Sequence, residues 1–148
     1  MWLKKLSNES NNFLGSIVTI DCEAPFEQVT VIGTTIASPN YPNDYGNNRD
    51  CQVSIRFSGN QTVAIRLEAF DVESRYACHS DYLAVHDGSN TSAPMIGSKL
   101  CGTSPVGTTM ASTGNIMTLY FHSDGSVSRS GFQIYTNVGK KADTIPKC

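Results

Sequence analysis

The sequence predicts an all-β sandwich or jelly roll, and three observations carry that prediction. Apolar and polar residues alternate with a period of two in several windows; the short runs are separated by Gly, Pro, Asn and Ser turns; and no window of helical period competes. That pattern belongs to sheets with one buried and one wet face. A chain of 148 residues fits one domain with a single core. A formal net charge of −2, with no run of Lys or Arg, disfavours a nucleic-acid partner.

Taken in order, residues 1–21 are polar and asparagine-rich and are read as an N-terminal extension, with one apolar patch at Ile17 to Ile20. From Thr30 the pattern turns to β, with Val31, Ile32 and Ile36 among threonines. It stops at Ser38-Pro39-Asn40-Tyr41-Pro42, where two prolines forbid helix and remove ladder donors. Val53, Ile55 and Phe57 alternate with polar neighbours before a Ser58-Gly59-Asn60 turn, and Val63, Ile65 and Leu67 do so after it. Tyr82 to His86 is a further strand, closed by Asp87-Gly88, and Pro94 to Leu100 a weak one. Met117, Leu119 and Phe121 mark the next, and Phe132 and Ile134 the last. Residues 139–148 look like a C-terminal linker. No apolar run approaches the roughly 20 residues of a membrane span, and residues 1–15 lack a signal-peptide core. An export signal is therefore expected outside this stretch, or Met1 was added for expression.

Cysteine usage points to an oxidising compartment. Cys22, Cys51, Cys78 and Cys101 lack the short paired spacing of zinc ligands, so two disulfides are expected, with three connectivities open. Cys148 is left over for an interchain bond, a partner in a following domain, or a free thiol. Sequons at Asn8, Asn60 and Asn90 agree with secretion and glycosylation.

The chemistry concentrates at Phe70-Asp71-Val72-Glu73, Cys78 and Asp81-Tyr82, with Asp124 in a later loop. An apolar strand ends in carboxylates, and a cysteine between them can fix the loop. Carboxylates, carbonyls and water are hard oxygen donors, suited to calcium and not to zinc or copper. Without a cation the like charges would raise one another's pKa values. The plain alternative is three solvated acids at loop ends, with Tyr45 a surface aromatic.

From Cys22 to Val138 the sequence resembles a CUB domain. The resemblance rests on Ser38-Pro39-Asn40-Tyr41-Pro42 with Tyr45, Cys51, Phe70-Asp71-Val72-Glu73 with Cys78 and Asp81-Tyr82, Asp87-Gly88, Leu100-Cys101-Gly102, Ser112-Thr113-Gly114-Asn115 and Gly131-Phe132. It implies a jelly-roll sandwich of two antiparallel sheets over residues 22–138, with bridges Cys22–Cys51 and Cys78–Cys101. It also implies the calcium-binding subset of the family, with Glu73, Asp81 and Asp124 as ligands and Tyr45 supporting them and the partner contact. Ser126-Val127 stands where some relatives carry an asparagine, so a backbone carbonyl, a serine oxygen or water would complete the site.

The resemblance further implies a non-catalytic, secreted, calcium-stabilised module that recognises an extracellular protein through its Lys or Arg side chains, with Cys148 able to reach a disulfide-linked partner. An enzyme has little support: zincin and nucleophile-elbow motifs are absent, and His79, His86 and His122 have no nucleophile to serve. The alternatives are a spermadhesin-like carbohydrate or gamete-surface protein, which the acidic trio disfavours, and an accessory domain cut from an extracellular protease.

Overall fold

The computed structural model describes residues 16–139, so Asn8, Cys148 and most of the terminal extensions lie outside the described residues. Among the described residues nine strands form, in chain order: β1 Ile17–Thr19, β2 Gln28–Val29, β3 Thr35–Ala37, β4 Asp50–Arg56, β5 Thr62–Asp71, β6 Tyr82–His86, β7 Thr109–Ala111, β8 Ile116–His122 and β9 Gly131–Gly139. One sheet has the order β1-β3-β9-β5-β7 and the other β2-β4-β8-β6. Pairing is antiparallel except at β1/β3 and β2/β4, which run parallel. No helix among the described residues is long and apolar enough to cross a membrane.

The alternation read from the sequence is what closes the sandwich. Val53 and Ile55 of β4, Leu83 and Val85 of β6 and Leu119 and Phe121 of β8 face Val63, Ile65 and Leu67 of β5 and Phe132 and Ile134 of β9 in one buried cluster. Phe121 and Phe132 meet edge to face across the sheets, with ring centroids 5.3 Å apart.

A register shift between Leu67 and Ala69 changes the phase of β5. Before it Val63, Ile65 and Leu67 point inward; after it Phe70 and Val72 do. The extra residue re-aims the strand end from which the acidic loop departs. Gly131 opens β9 at φ 91°, where a Cβ would lie 1.8 Å from Ser38 Oγ, so only glycine allows the β3 exit to pack there.

The structure departs from the sequence reading in four places. The Ile17–Ile20 patch, read as lying outside the core, supplies β1 and the buried Ile20. Val31 and Ile32, read as strand, are exposed at a turn, and the strands lie on either side of it. Pro94 to Leu100 makes only isolated bridges to β6, His86 with Met95 and Leu83 with Leu100, because Gly97 turns the chain at φ 69° between them. β7 was not anticipated, since its three residues contain too few apolar positions to show a period.

Candidate metal centre

Three loops meet at one end of the sandwich, the acidic pole. Glu73 lies just beyond β5, Asp81 just before β6, and Asp124 just beyond β8. Each offers a carboxylate oxygen, and the three atoms lie within 4.8 Å of one another.

The loop from Glu73 to Asp81 is closed covalently. Val72 and Gly102 exchange both backbone hydrogen bonds, at 3.1 and 2.7 Å, and the residue before Gly102, Cys101, is joined to Cys78. Ala77 and Cys78 adopt left-handed φ of 56° and 52°, which turns the chain tightly inside the bridge. The second bridge, Cys22–Cys51, pins the segment before β2 to β4.

Tyr45 joins two of the acids and is fully buried. Its hydroxyl donates to Asp81 Oδ2 at 2.5 Å and accepts from the Glu73 amide at 3.1 Å, while its ring stacks edge-on against Phe121 at 4.8 Å. The surface-aromatic alternative does not hold. Burial, and then the bond to Asp81, push the phenol pKa upward, so Tyr45 remains a donor. Asp81 is 0% exposed, and its Oδ1 accepts from the Asp124 amide at 2.9 Å. Burial raises its carboxyl above the usual range, and the charges of Glu73 and Asp124 add to that, against the bonds from Tyr45 and the Asp124 amide. The more open Asp124 is shifted down, chiefly by the Ser126 amide on its Oδ1 at 3.3 Å.

Glu73 is 4% exposed; its Oε1 is buried with no hydrogen-bond partner, and its Oε2 meets Arg75 Nε at 3.4 Å. An orphaned carboxylate oxygen facing hard-donor neighbours fits a calcium-like cation, which would satisfy what the chain leaves unpaired. Of the other residues singled out, the Ser126 amide is engaged by Asp124, and Val127 is half exposed with left-handed backbone at φ 58°.

The polar latch beneath Asp124 has no signature in the sequence. Ser123 Oγ donates to the Gly46 carbonyl at 2.8 Å and accepts from the Arg49 amide at 2.9 Å. Ser128 Oγ accepts from the Gly46 amide at 2.7 Å, the Arg129 carbonyl from the Tyr45 amide at 2.9 Å, and the Asp124 carbonyl from the Asn48 amide at 2.8 Å. Serines in a polar loop carry no signal until the partner loop is known. The histidines have local roles: His86 Nδ1 lies 2.9 Å from the Ala93 carbonyl oxygen, His122 Nδ1 lies 2.7 Å from Asp50, and the His79 ring lies beside Tyr76.

Comparison with known proteins agrees with this geometry. The CUB domain profile matches residues 22–135. The bone morphogenetic protein 1 homolog of Strongylocentrotus purpuratus is 40% identical over 98 residues, 66% of this chain and 15% of the relative. Human tolloid-like protein 2 is 36% identical over 106 residues, 72% of this chain and 10% of the relative. The chain thus spans a small fraction of these relatives. Among solved structures, the full extracellular region of zebrafish Gpr126/Adgrg6 matches with a TM-score of 0.69 and 31% identity, covering 80% of this chain and 15% of that one. The MASP-1 CUB2 domain bound to Ca2+ matches with a TM-score of 0.64 and 27% identity, covering 75% and 96%. The profile match spans more than half of the residues and falls on the strands and loops that build the acidic pole; the chain belongs to the CUB domain family.

Proposed function

We propose that this chain is a calcium-stabilised, extracellular recognition module that takes a Lys or Arg side chain of a protein partner at its acidic pole. The observation that carries the reading is the meeting of Glu73, Asp81 and Asp124 within 4.8 Å, with a buried Glu73 oxygen left unpaired. The MASP-1 CUB2 domain, solved with Ca2+ bound, supports it. The two disulfides suit an oxidising, extracellular setting.

Calcium held there would bring oxygen coordination at about 2.3 to 2.6 Å and two positive charges against three carboxylates. Tyr45 and the Asp124 amide fix Asp81, and the backbone and hydroxyl oxygens of Ser126-Val127 are the candidates for further ligands. The net negative charge that remains lies on loops already ordered by the bridge and the serine latch, with Asp124 its most open member. A partner's basic side chain would therefore meet acceptors that need little further ordering. The module binds and does not catalyse.

The test is calorimetry on the wild type and Asp124→Ala, each with millimolar calcium and with chelator. Extracellular sites bind with constants of about 10⁻⁴ to 10⁻³ M, so the wild type should gain roughly 1 kcal/mol and Asp124→Ala nothing, with both remaining folded. A wild type whose melting temperature ignores calcium would leave the trio as solvated acids and remove this function.

A further inference from the structure

We propose that Arg75 is an intramolecular rival of the partner's basic side chain and so determines which partners the acidic pole admits. This rests on the recognition mode proposed above and adds a residue to it.

Among the described residues, Arg75 is the only cationic side chain paired with any of the three carboxylates, through Nε and Glu73 Oε2 at 3.4 Å. The pairing is loose: the contact is long, the Arg75 side chain is 62% exposed, and Glu73 Oε1 stays unpartnered. The backbone beneath it is fixed. The Arg75 carbonyl accepts from the Cys78 amide at 2.8 Å, and Cys78 is bonded to Cys101, so the guanidinium can leave by side-chain rotation without moving the loop.

Charge decides what it competes with. Three carboxylates and one divalent cation leave a single negative charge, enough for one further cation. Arg75 already stands at that place in cis. A tethered group acts at an effective concentration in the millimolar range, whereas a partner's lysine arrives from dilute solution. A lone basic side chain is therefore weakened, and a partner that adds contacts beside its cation can displace Arg75. The Arg75 end of the pair is 62% exposed, which keeps its worth to about 0.2 to 1 kcal/mol, so removing it should tighten a simple cationic ligand by roughly 1.4- to five-fold.

The experiment uses the whole chain, the variants Arg75→Gln and Arg75→Lys, and Nα-acetyl-lysine methylamide as the probe. Calcium uptake is first measured by calorimetry. The probe is then titrated in saturating calcium while the backbone amide shifts of Glu73, Asp81 and Asp124 are followed, with Nα-acetyl-norleucine methylamide as the uncharged control. Arg75→Gln should bind the lysine probe more tightly than the wild type by that factor, Arg75→Lys should stay near the wild type, and the control should move none of the three amides. Equal or weaker probe binding by Arg75→Gln, in protein that takes up calcium normally, overturns the role of Arg75 and leaves the calcium reading standing. Failure of both wild type and Arg75→Gln to take up calcium overturns the two together.

Discussion

Tyr45 shows how much one hydroxyl can organise. It donates to one buried acid and accepts from the amide of another, so Tyr45→Phe would strip partners from Asp81 Oδ2 and the Glu73 amide together. The expected loss is about 1 to 3 kcal/mol in urea unfolding with chelator present, accompanied by weaker calcium binding. A second residue gives a pH signature away from the trio. Asp50 accepts from His122 at 2.7 Å and Tyr120 at 2.5 Å, and these bonds, His122 first, hold its carboxyl below the ordinary range. A depressed carboxyl stabilises the fold above its unfolded pKa, and the contribution fades as pH falls through the folded value. Asp50 is well exposed, so the effect is small, roughly 0.5 kcal/mol after screening. Wild type should exceed Asp50→Asn by that amount near pH 5, and the difference between their denaturant curves should shrink as the pH falls below the ordinary carboxylate range.

At the scale of elements, the Cys78–Cys101 bridge carries the loop on which two of the three acids depend. Replacing both cysteines by serine opens a crosslink spanning 23 residues and should cost roughly 3 kcal/mol. The more telling outcome is functional: the calcium-dependent rise in melting temperature should shrink or vanish, while circular dichroism still reports a sandwich at low temperature. The elements also show what a sequence can reveal. β4, β5, β8 and β9 were legible because each is long enough to alternate and has one face in the core. β1 and β7 were not, since three residues held by pairing to a neighbour carry no period of their own. The register shift in β5 was equally silent, because Leu67, Ala69 and Phe70 read as apolar in either phase. Glu73 and Asp81 could be read from their places at loop ends on either side of Cys78, and Asp124 from the family resemblance, but the serine latch is a property of two loops that only folding brings together.

For the molecule as a whole, strand direction separates two poles. β5 runs from Thr62 to Asp71 toward the acids, a span of roughly 30 Å. Asn60 precedes its start and Asn90 follows the end of β6, so the two sequons among the described residues are exposed at the pole opposite the acids. Protein secreted from eukaryotic cells should carry N-glycans at both, seen as glycopeptides by mass spectrometry, and enzymatic deglycosylation should leave the calcium-dependent thermal gain unchanged. Glycan-sensitive calcium stabilisation would contradict that separation. The acidic pole, however, is not insulated from the interior. Tyr45 touches Phe121 and Phe121 touches Phe132, so a row of rings runs from the carboxylates to the contact between the sheets. A lesion deep in that row, such as trimming Phe132, would then surface as a shifted acidic pole although none of its three acids had been altered, and a survey of mutations that watched only the acids would overlook the packing that aims them.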